Sequence, residues 1–174
     1  MESAERLRAA IREIPDFPTP GIGFKDITTL LASPACFRES LDLLQERWTG
    51  EKLDAIAGIE ARGFIFGAAL ADRMALPFIP LRKPGKLPAE TIAVSYELEY
   101  GKDSLEMHAD AVSKGGRILI VDDLLATGGT AAAAGRLIRE AGGAVAGFAF
   151  LVHLSFLPGA DGLGDAPVQS LVTY

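Results

Sequence analysis

The sequence predicts an α/β protein with a central, mostly parallel sheet and helices on both faces. From Asp54 onward, short apolar runs alternate with segments of helical period. Those runs are apolar on both faces, as strands covered from both sides must be. A Gly-rich turn follows one of them, at the sheet edge where such folds bind ligands. The 174 residues suit a single domain.

Leu7, Ala10, Ile11 and Ile14 recur at helical spacing and predict a short amphipathic helix over residues 4–14. The next segment, PDFPTPGIGFKD (residues 15–26), carries three prolines and two glycines and is no regular helix. It reads as an ordered loop anchored by Phe17, Ile22 and Phe24. Ser33-Pro34 then supplies an N-cap and a first helical residue. Phe37, Leu41, Leu44 and Trp48 give that helix one buried face. DAIAGI (54–59) is the first strand, residues 64–74 a helix, and LPFIPL (76–81) the second strand. RILIV (117–121) is the third, followed by an Ala-rich helix over 131–141 that Gly142-Gly143 stop. AVAGFAFLV (144–152) is the fourth. Residues 82–103 break the alternation. They lack a helical period and are rich in Lys, Tyr and Glu, which predicts a long loop over a site rather than core. A solvated hairpin is the plainer alternative.

Composition removes several classes. With 49% hydrophobic and 23% charged residues, the chain is neither disordered nor fibrous. Its 17 basic and 23 acidic residues give a net charge of −6, which repels a phosphate backbone and argues against nucleic-acid partners. Cys36 is the only cysteine, so neither an intrachain disulfide nor a Cys-rich metal site exists. The opening MESAERLRAAIRE carries charge from its second residue, without the apolar core of a secretory signal, and a cytoplasmic protein is expected. Residues 141–160 are free of Asp, Glu, Lys and Arg, but Pro158 and several glycines make them a strand with its turns rather than a membrane span.

The chemistry concentrates in ILIVDDLLATGGT (118–130). Successive strand residues face opposite ways, so Asp122 and Asp123 are expected where the strand ends, not buried within it. Ala126, Thr127, Gly128, Gly129 and Thr130 then open a helix. Two glycines let the backbone present successive N–H groups, two hydroxyls add donors, and the helix N-terminus adds positive potential. That combination cradles a phosphate monoester. Two nearby carboxylates suit ribose hydroxyls or a hydrated Mg²⁺. The plain alternative is an ordinary strand–turn–helix with Thr130 as N-cap. P-loop, Rossmann, zinc-protease and hydrolase-elbow patterns are all absent from the sequence.

ILIVDDLLATGGT resembles the phosphoribosyl-pyrophosphate signature of the type I phosphoribosyltransferases, in the wording of those that use adenine. PDFPTPGIGFKDIT (15–28) is similar to the family's adenine-side segment. GIEARGFIFG (58–67) and RKPGKLP (82–88) are similar to its pyrophosphate-side segments, and YELEYGKDSLEMHADAV (96–112) to its mobile loop and the strand after it. The resemblance spans roughly residues 14–158. It implies one domain over 1–174, with an N-terminal hood over 1–34 and a mobile lid over 82–103. It implies transfer of ribose 5-phosphate from 5-phosphoribosyl 1-pyrophosphate to adenine, with Mg²⁺ as cofactor, in a homodimer.

Carried over by position, the loop from Ala126 to Thr130 would hold the 5-phosphate. Asp122 and Asp123 would hold the ribose hydroxyls, directly or through Mg²⁺. Arg62 would meet the pyrophosphate with a bidentate, permanently charged fork, and Lys83 and Lys86 would add charge. Glu99 would sit over leaving group and base, with Tyr100 packed beside it. Main-chain groups of Gly23 and Lys25 would read the adenine edge, with Phe24 against the ring. Plainer readings exist: a surface Arg62, solvated lysines, a Glu99 on the polar face of a hairpin, a packed Pro/Gly loop at 22–25. Family relatives often carry a bulkier residue at the position of Gly23. The resemblance breaks at His153-Leu154 and Gly159-Ala160, where the family shows Glu before Leu and then Gly-Arg. His153 reads as a core or interface residue.

Two other functions compete. A phosphoribosyltransferase for an oxopurine would meet the 6-oxo group with a donor such as lysine near the cradle, and Leu124 and Leu125 offer none. A regulator that senses phosphoribosyl pyrophosphate on nucleic acid would need a basic face, which an acidic chain lacks.

Overall fold

The stop that ends the first helix comes from Pro15. In the computed structural model, which describes residues 2–98 and 101–174, α1 (Ser3–Ala10) closes four residues before the spacing predicts. The chain turns extended ahead of the proline, which disfavours helix in the residue before it. Arg12–Ile14 becomes β1, paired antiparallel with β2 (Phe24–Asp26). Arg12 Nη2 lies 2.5 Å from Asp26 Oδ2 and locks the pair. The Pro/Gly segment between these strands is a hood, not a loop pinned to the core: Phe17 is 50% and Ile22 51% exposed. Phe24 is half-buried, its ring edge-on to Phe17.

A short α2 (Thr28–Leu31) leads into α3 (Pro34–Trp48), which starts where expected: Ser33 accepts a hydrogen bond from the Cys36 N–H. Leu41, Leu44 and Trp48 are buried on one face. Next come β3 (Ala55–Ile59), buried at every residue, α4 (Gly63–Met74) and β4 (Phe78–Leu81). The segment read as a loop is a hairpin from Thr91 onward, β5 (Thr91–Leu98) against β6 (Gly101–His108). Arg82 and Glu106 exchange both backbone hydrogen bonds at its root. Its inner face is core, contrary to the composition argument: Val94, Tyr96, Leu105 and Met107 are buried. Period-two burial hides alternate residues and leaves the Lys and Glu outside.

β7 (Arg117–Leu125), α5 (Gly129–Glu140), β8 (Ala144–His153) and β9 (Val168–Thr173) complete the fold. Among the described residues the main sheet has five strands in the order β4-β3-β7-β8-β9, every neighbouring pair parallel. Two apolar cores cover its faces. One joins the sheet to α1, α3 and α4, and the other joins it to α5 and the hairpin. β9 escapes sequence reading because VQSLVT mixes polar and apolar residues at a sheet edge.

β7 also corrects the placement of the acidic pair. The strand runs through both carboxylates to Leu125, and Asp123 is buried at 5% exposure. Burial is tolerated because Arg62 supplies the counter-charge, Nε to Asp123 Oδ2 at 2.5 Å. Among the described residues no helix is long and apolar enough to cross a membrane.

Candidate active site

Two cavities open at the carboxyl edge of the sheet and share a wall. The smaller, about 210 Å³, is lined by Arg62 and by every residue from Asp122 to Ala131. The larger, about 960 Å³, lies between the hood (Glu13, Gly23, Lys25) and Leu154, Phe156 and Leu157 beyond β8. Thr127 and Gly129 line both.

The loop between β7 and α5 takes its shape from Gly128, the helix N-cap, at φ +81°. A Cβ there would strike the Gly159 carbonyl, so the segment at 159 buttresses the loop from behind. Ala126, Thr127, Gly128, Gly129 and Thr130 all line the small cavity, with the N-terminus of α5 directed at it. These residues line one cavity at a helix N-terminus, where backbone amides and the helix dipole suit an anion.

Asp122 and Asp123 border it. Asp122 Oδ1 accepts the Asp123 N–H at 2.9 Å, and Gly63 approaches so closely that a Cβ would sit 2.8 Å from the same oxygen. Burial first, and then the Asp123 carboxylate, push the Asp122 carboxyl well above the usual carboxylate range. Arg62 is half exposed, with its guanidinium carbon 5.8 Å from the Phe24 ring centre. It therefore joins the acidic pair to the hood.

The two lysines are not free. Lys86 Nζ is 3.1 Å from Glu60 Oε1, and Glu60 also faces Arg82 at 3.3 Å and accepts the Lys83 N–H at 2.9 Å. Against burial, the largest influence on it, these three donors hold the Glu60 carboxyl at about 2. Lys83 pairs with Asp103 on β6 and donates to the Tyr96 hydroxyl at 3.1 Å. Burial works to lower the Lys83 pKa, but Asp103 and Tyr96 prevail and raise it.

On the hood, Gly23 and Lys25 line the large cavity, and Phe24 does not. The Lys25 ammonium lies 3.0 Å from Glu13 Oε1 and 4.0 Å from the Tyr174 ring centre. A Cβ on Gly23 would come 3.0 Å from Glu13 Oε1, so Glu13 stands in space that a larger residue at 23 would claim.

Glu99 and Tyr100 lie outside the described residues. His153 ends β8 with its Nε2 buried and unpartnered among the described residues. Sequence reading missed Glu60, Glu13, Tyr96 and the Gly159 buttress. Glu60 carried a signal, since it directly precedes Ala61-Arg62 in GIEARG. The others act across the fold and carry none.

A model of the phosphoribosyl transferase domain matches residues 26–162. An adenine phosphoribosyltransferase of Thermosynechococcus vestitus is 58% identical over 168 residues, covering 97% of this chain and 99% of that protein. The crystal structure of adenine phosphoribosyltransferase from Thermoanaerobacter pseudethanolicus superposes with a TM-score of 0.95 at 52% identity, covering 98% of this chain and 99% of that one. The Saccharomyces cerevisiae enzyme, crystallised with adenine and an imino-altritol bisphosphate, gives a TM-score of 0.91 at 40% identity, covering 97% and 98%.

Proposed function

The chain belongs to the phosphoribosyl transferase family and, within it, to the adenine phosphoribosyltransferases; from that premise we propose how its own residues join adenine to ribose 5-phosphate. The overall change converts adenine and 5-phosphoribosyl 1-pyrophosphate to AMP and pyrophosphate. The observation that carries the reading is the shared wall: a small cavity at a helix N-terminus and a larger one that can admit a base meet at Thr127 and Gly129. A nucleophile in one cavity then faces a phosphoribosyl carbon held in the other.

The N–H groups and hydroxyls from Ala126 to Thr130 hold the 5-phosphate. Asp122 and Asp123 take the ribose hydroxyls. Arg62, Lys83 and Lys86 receive the pyrophosphate, which must draw each lysine from its carboxylate partner. The Gly23 carbonyl and the Lys25 N–H read adenine's amino group and adjacent ring nitrogen, a pairing that an oxopurine inverts. Phe24, which stacks beside Arg62, braces that edge. As the anomeric C–O bond breaks, positive charge develops on the sugar and the adenine imidazole nitrogen closes the new bond. In this reading Glu99 accepts the proton that nitrogen sheds, and Tyr100 belongs to the same substrate-binding set.

The donor set fits Mg²⁺ only as a shared ion. Among the described residues no cluster of three or more Asp, Glu, His or Cys forms a cage, so Asp122 and Asp123 would hold it together with hydroxyl, pyrophosphate and water oxygens. Bound there, Mg²⁺ supplies positive charge against the leaving group. A homodimer in the cytoplasm belongs to the same reading. The half-exposed Phe17 on the hood is apolar surface that a second copy would cover, and light scattering measures the assembly.

The test is pyrophosphate release with phosphoribosyl pyrophosphate and Mg²⁺, offering adenine, hypoxanthine, guanine and xanthine separately. Release with adenine alone, with AMP formed, is expected. Release with an oxopurine overturns the reading of residues 23–25.

A further inference from the structure

Tyr174 ties the two walls of the large cavity to each other. One wall is the hood segment of Gly23 and Lys25, and the other is Leu154, Phe156 and Leu157 beyond β8. Tyr174 follows β9 and is half-buried against the core that also holds Leu7 of α1. Its main-chain oxygen accepts the Ser155 N–H at 2.9 Å and the Ser155 hydroxyl at 2.7 Å, and its N–H donates to the His153 carbonyl at 2.9 Å. Ser155 stands between Leu154 and Phe156, so the backbone of Tyr174 fixes the far wall. The ring holds the hood. The Lys25 ammonium lies 4.0 Å from its centre and the Arg8 guanidinium carbon 4.5 Å. The Lys25 side chain is 9% exposed, with Glu13 Oε1 3.0 Å from its ammonium. An aromatic ring face attracts a cation more strongly the further that cation is withdrawn from water.

We propose that Tyr174 is a positioning residue for the base: through Lys25 it sets the distance between the adenine-reading main chain and the opposite wall. The inference rests on the reading in which the Gly23 carbonyl and the Lys25 N–H meet adenine. The Lys25 side chain and N–H share one Cα, so seating the ammonium on the ring restricts where the N–H can lie. β1 and β2 are three residues each, with Glu13 opposite Lys25. So short a two-stranded pair holds its place poorly by itself, and Tyr174 gives it an anchor at the end of a strand of the main sheet. The ring face does this, not the hydroxyl. An aliphatic side chain would fill the space without attracting the cation.

Steady-state kinetics of the whole protein tests the role, with adenine and phosphoribosyl pyrophosphate varied separately in the presence of Mg²⁺. Tyr174→Leu should raise the KM for adenine about fivefold. Its kcat and its KM for phosphoribosyl pyrophosphate should not change, because binding lost equally from ground and transition states appears in KM alone. Tyr174→Phe keeps the ring and should stay within about twofold of the wild type. Lys25→Met should match Tyr174→Leu, and in its background Tyr174→Leu should add less than about twofold. Thermal melting confirms that each variant folds; if Tyr174→Leu does not, Lys25→Met carries the test. An unchanged adenine KM in either single variant overturns the role and leaves the assignment of residues 23–25 standing. So do equal rises for both substrates, an equal loss in Tyr174→Phe, or additive losses in the double variant. A wild type that uses an oxopurine and not adenine overturns that assignment itself, and the role of Tyr174 with it.

Discussion

Gly128 and Gly159 meet backbone to backbone, so closely that neither tolerates a side chain. A Cβ on Gly128 would lie 2.9 Å from the Gly159 carbonyl carbon, and one on Gly159 would lie 3.0 Å from the Ala126 carbonyl carbon. Gly159→Ala must therefore push the cradle forward or lose the buttress. We expect the KM for phosphoribosyl pyrophosphate to rise at least about tenfold. The overpacking should cost about 1–3 kcal/mol, a fall in Tm of roughly 3–10 °C for a chain of this size. Steady-state kinetics and a melting curve check both.

Arg62 separates catalysis from stability. Removing it outright strands the buried Asp123 carboxylate, so Arg62→Ala confounds the two effects. Arg62→Lys keeps a cation beside Asp123 but loses the planar fork. Its Tm should stay within a few degrees of the wild type, while kcat/KM for phosphoribosyl pyrophosphate falls about 10²-fold. An unchanged kcat/KM would remove Arg62 from the pyrophosphate site.

Acid stability should depend on Glu60 and Asp26. Burial is the largest influence on Glu60 and opposes ionisation, yet Lys83 N–H, Lys86 and Arg82 hold its carboxyl at about 2 against an ordinary 4.5. For Asp26 the Thr28 hydroxyl, then Arg12, depress the carboxyl from 3.8 to about 2. A carboxyl lowered on folding stabilises the protein above its unfolded pKa, and that contribution disappears as pH falls toward the folded value. In Glu60→Gln, Tm measured against pH should be lower at neutral pH and fall less steeply between about 4.5 and 2, with the Asp26 share of the slope remaining.

Trp48 fills the space beside Gly147. A Cβ on Gly147 would lie 2.7 Å from Trp48 Cζ3 and 2.9 Å from the Pro167 carbonyl oxygen. Gly147→Ala should cost about 1–3 kcal/mol in chemical denaturation with little change in specific activity. Trp48→Phe removes a buried indole Nε1 that has no hydrogen-bond partner among the described residues. In the double variant the Gly147→Ala penalty should shrink, because the smaller ring leaves room.

The elements read correctly from sequence are those whose cause is local. Ser33-Pro34 caps and starts α3 within its own first turn, and β3 needs only an unbroken apolar run between two breakers. That Ala126 to Thr130 line one cavity was legible for the same reason, since the five residues are consecutive. The burial of Asp123 was not, because its counter-ion stands 61 positions away. Asp103 and Tyr96 face each other in the hairpin register, a pairing that alternation suggests, but Lys83 and Thr130 reach them from other elements. Gly159 bears on the cradle only through backbone atoms, which leave no mark on side-chain pattern.

The anchoring of the hood also has a consequence for synthesis. α1 lies against β9: Leu7 shares a core with Leu171 and Val172, Arg8 bonds the Thr173 carbonyl, and Arg8 and Lys25 both stack on Tyr174. A ribosome makes the hood first and its anchors more than 140 residues later. Until β9 emerges, the hood lacks that half of its anchorage and is held by α2 and α3, through Leu7 beside Leu30, Leu41 and Leu44 and through the Arg6–Glu39 pair.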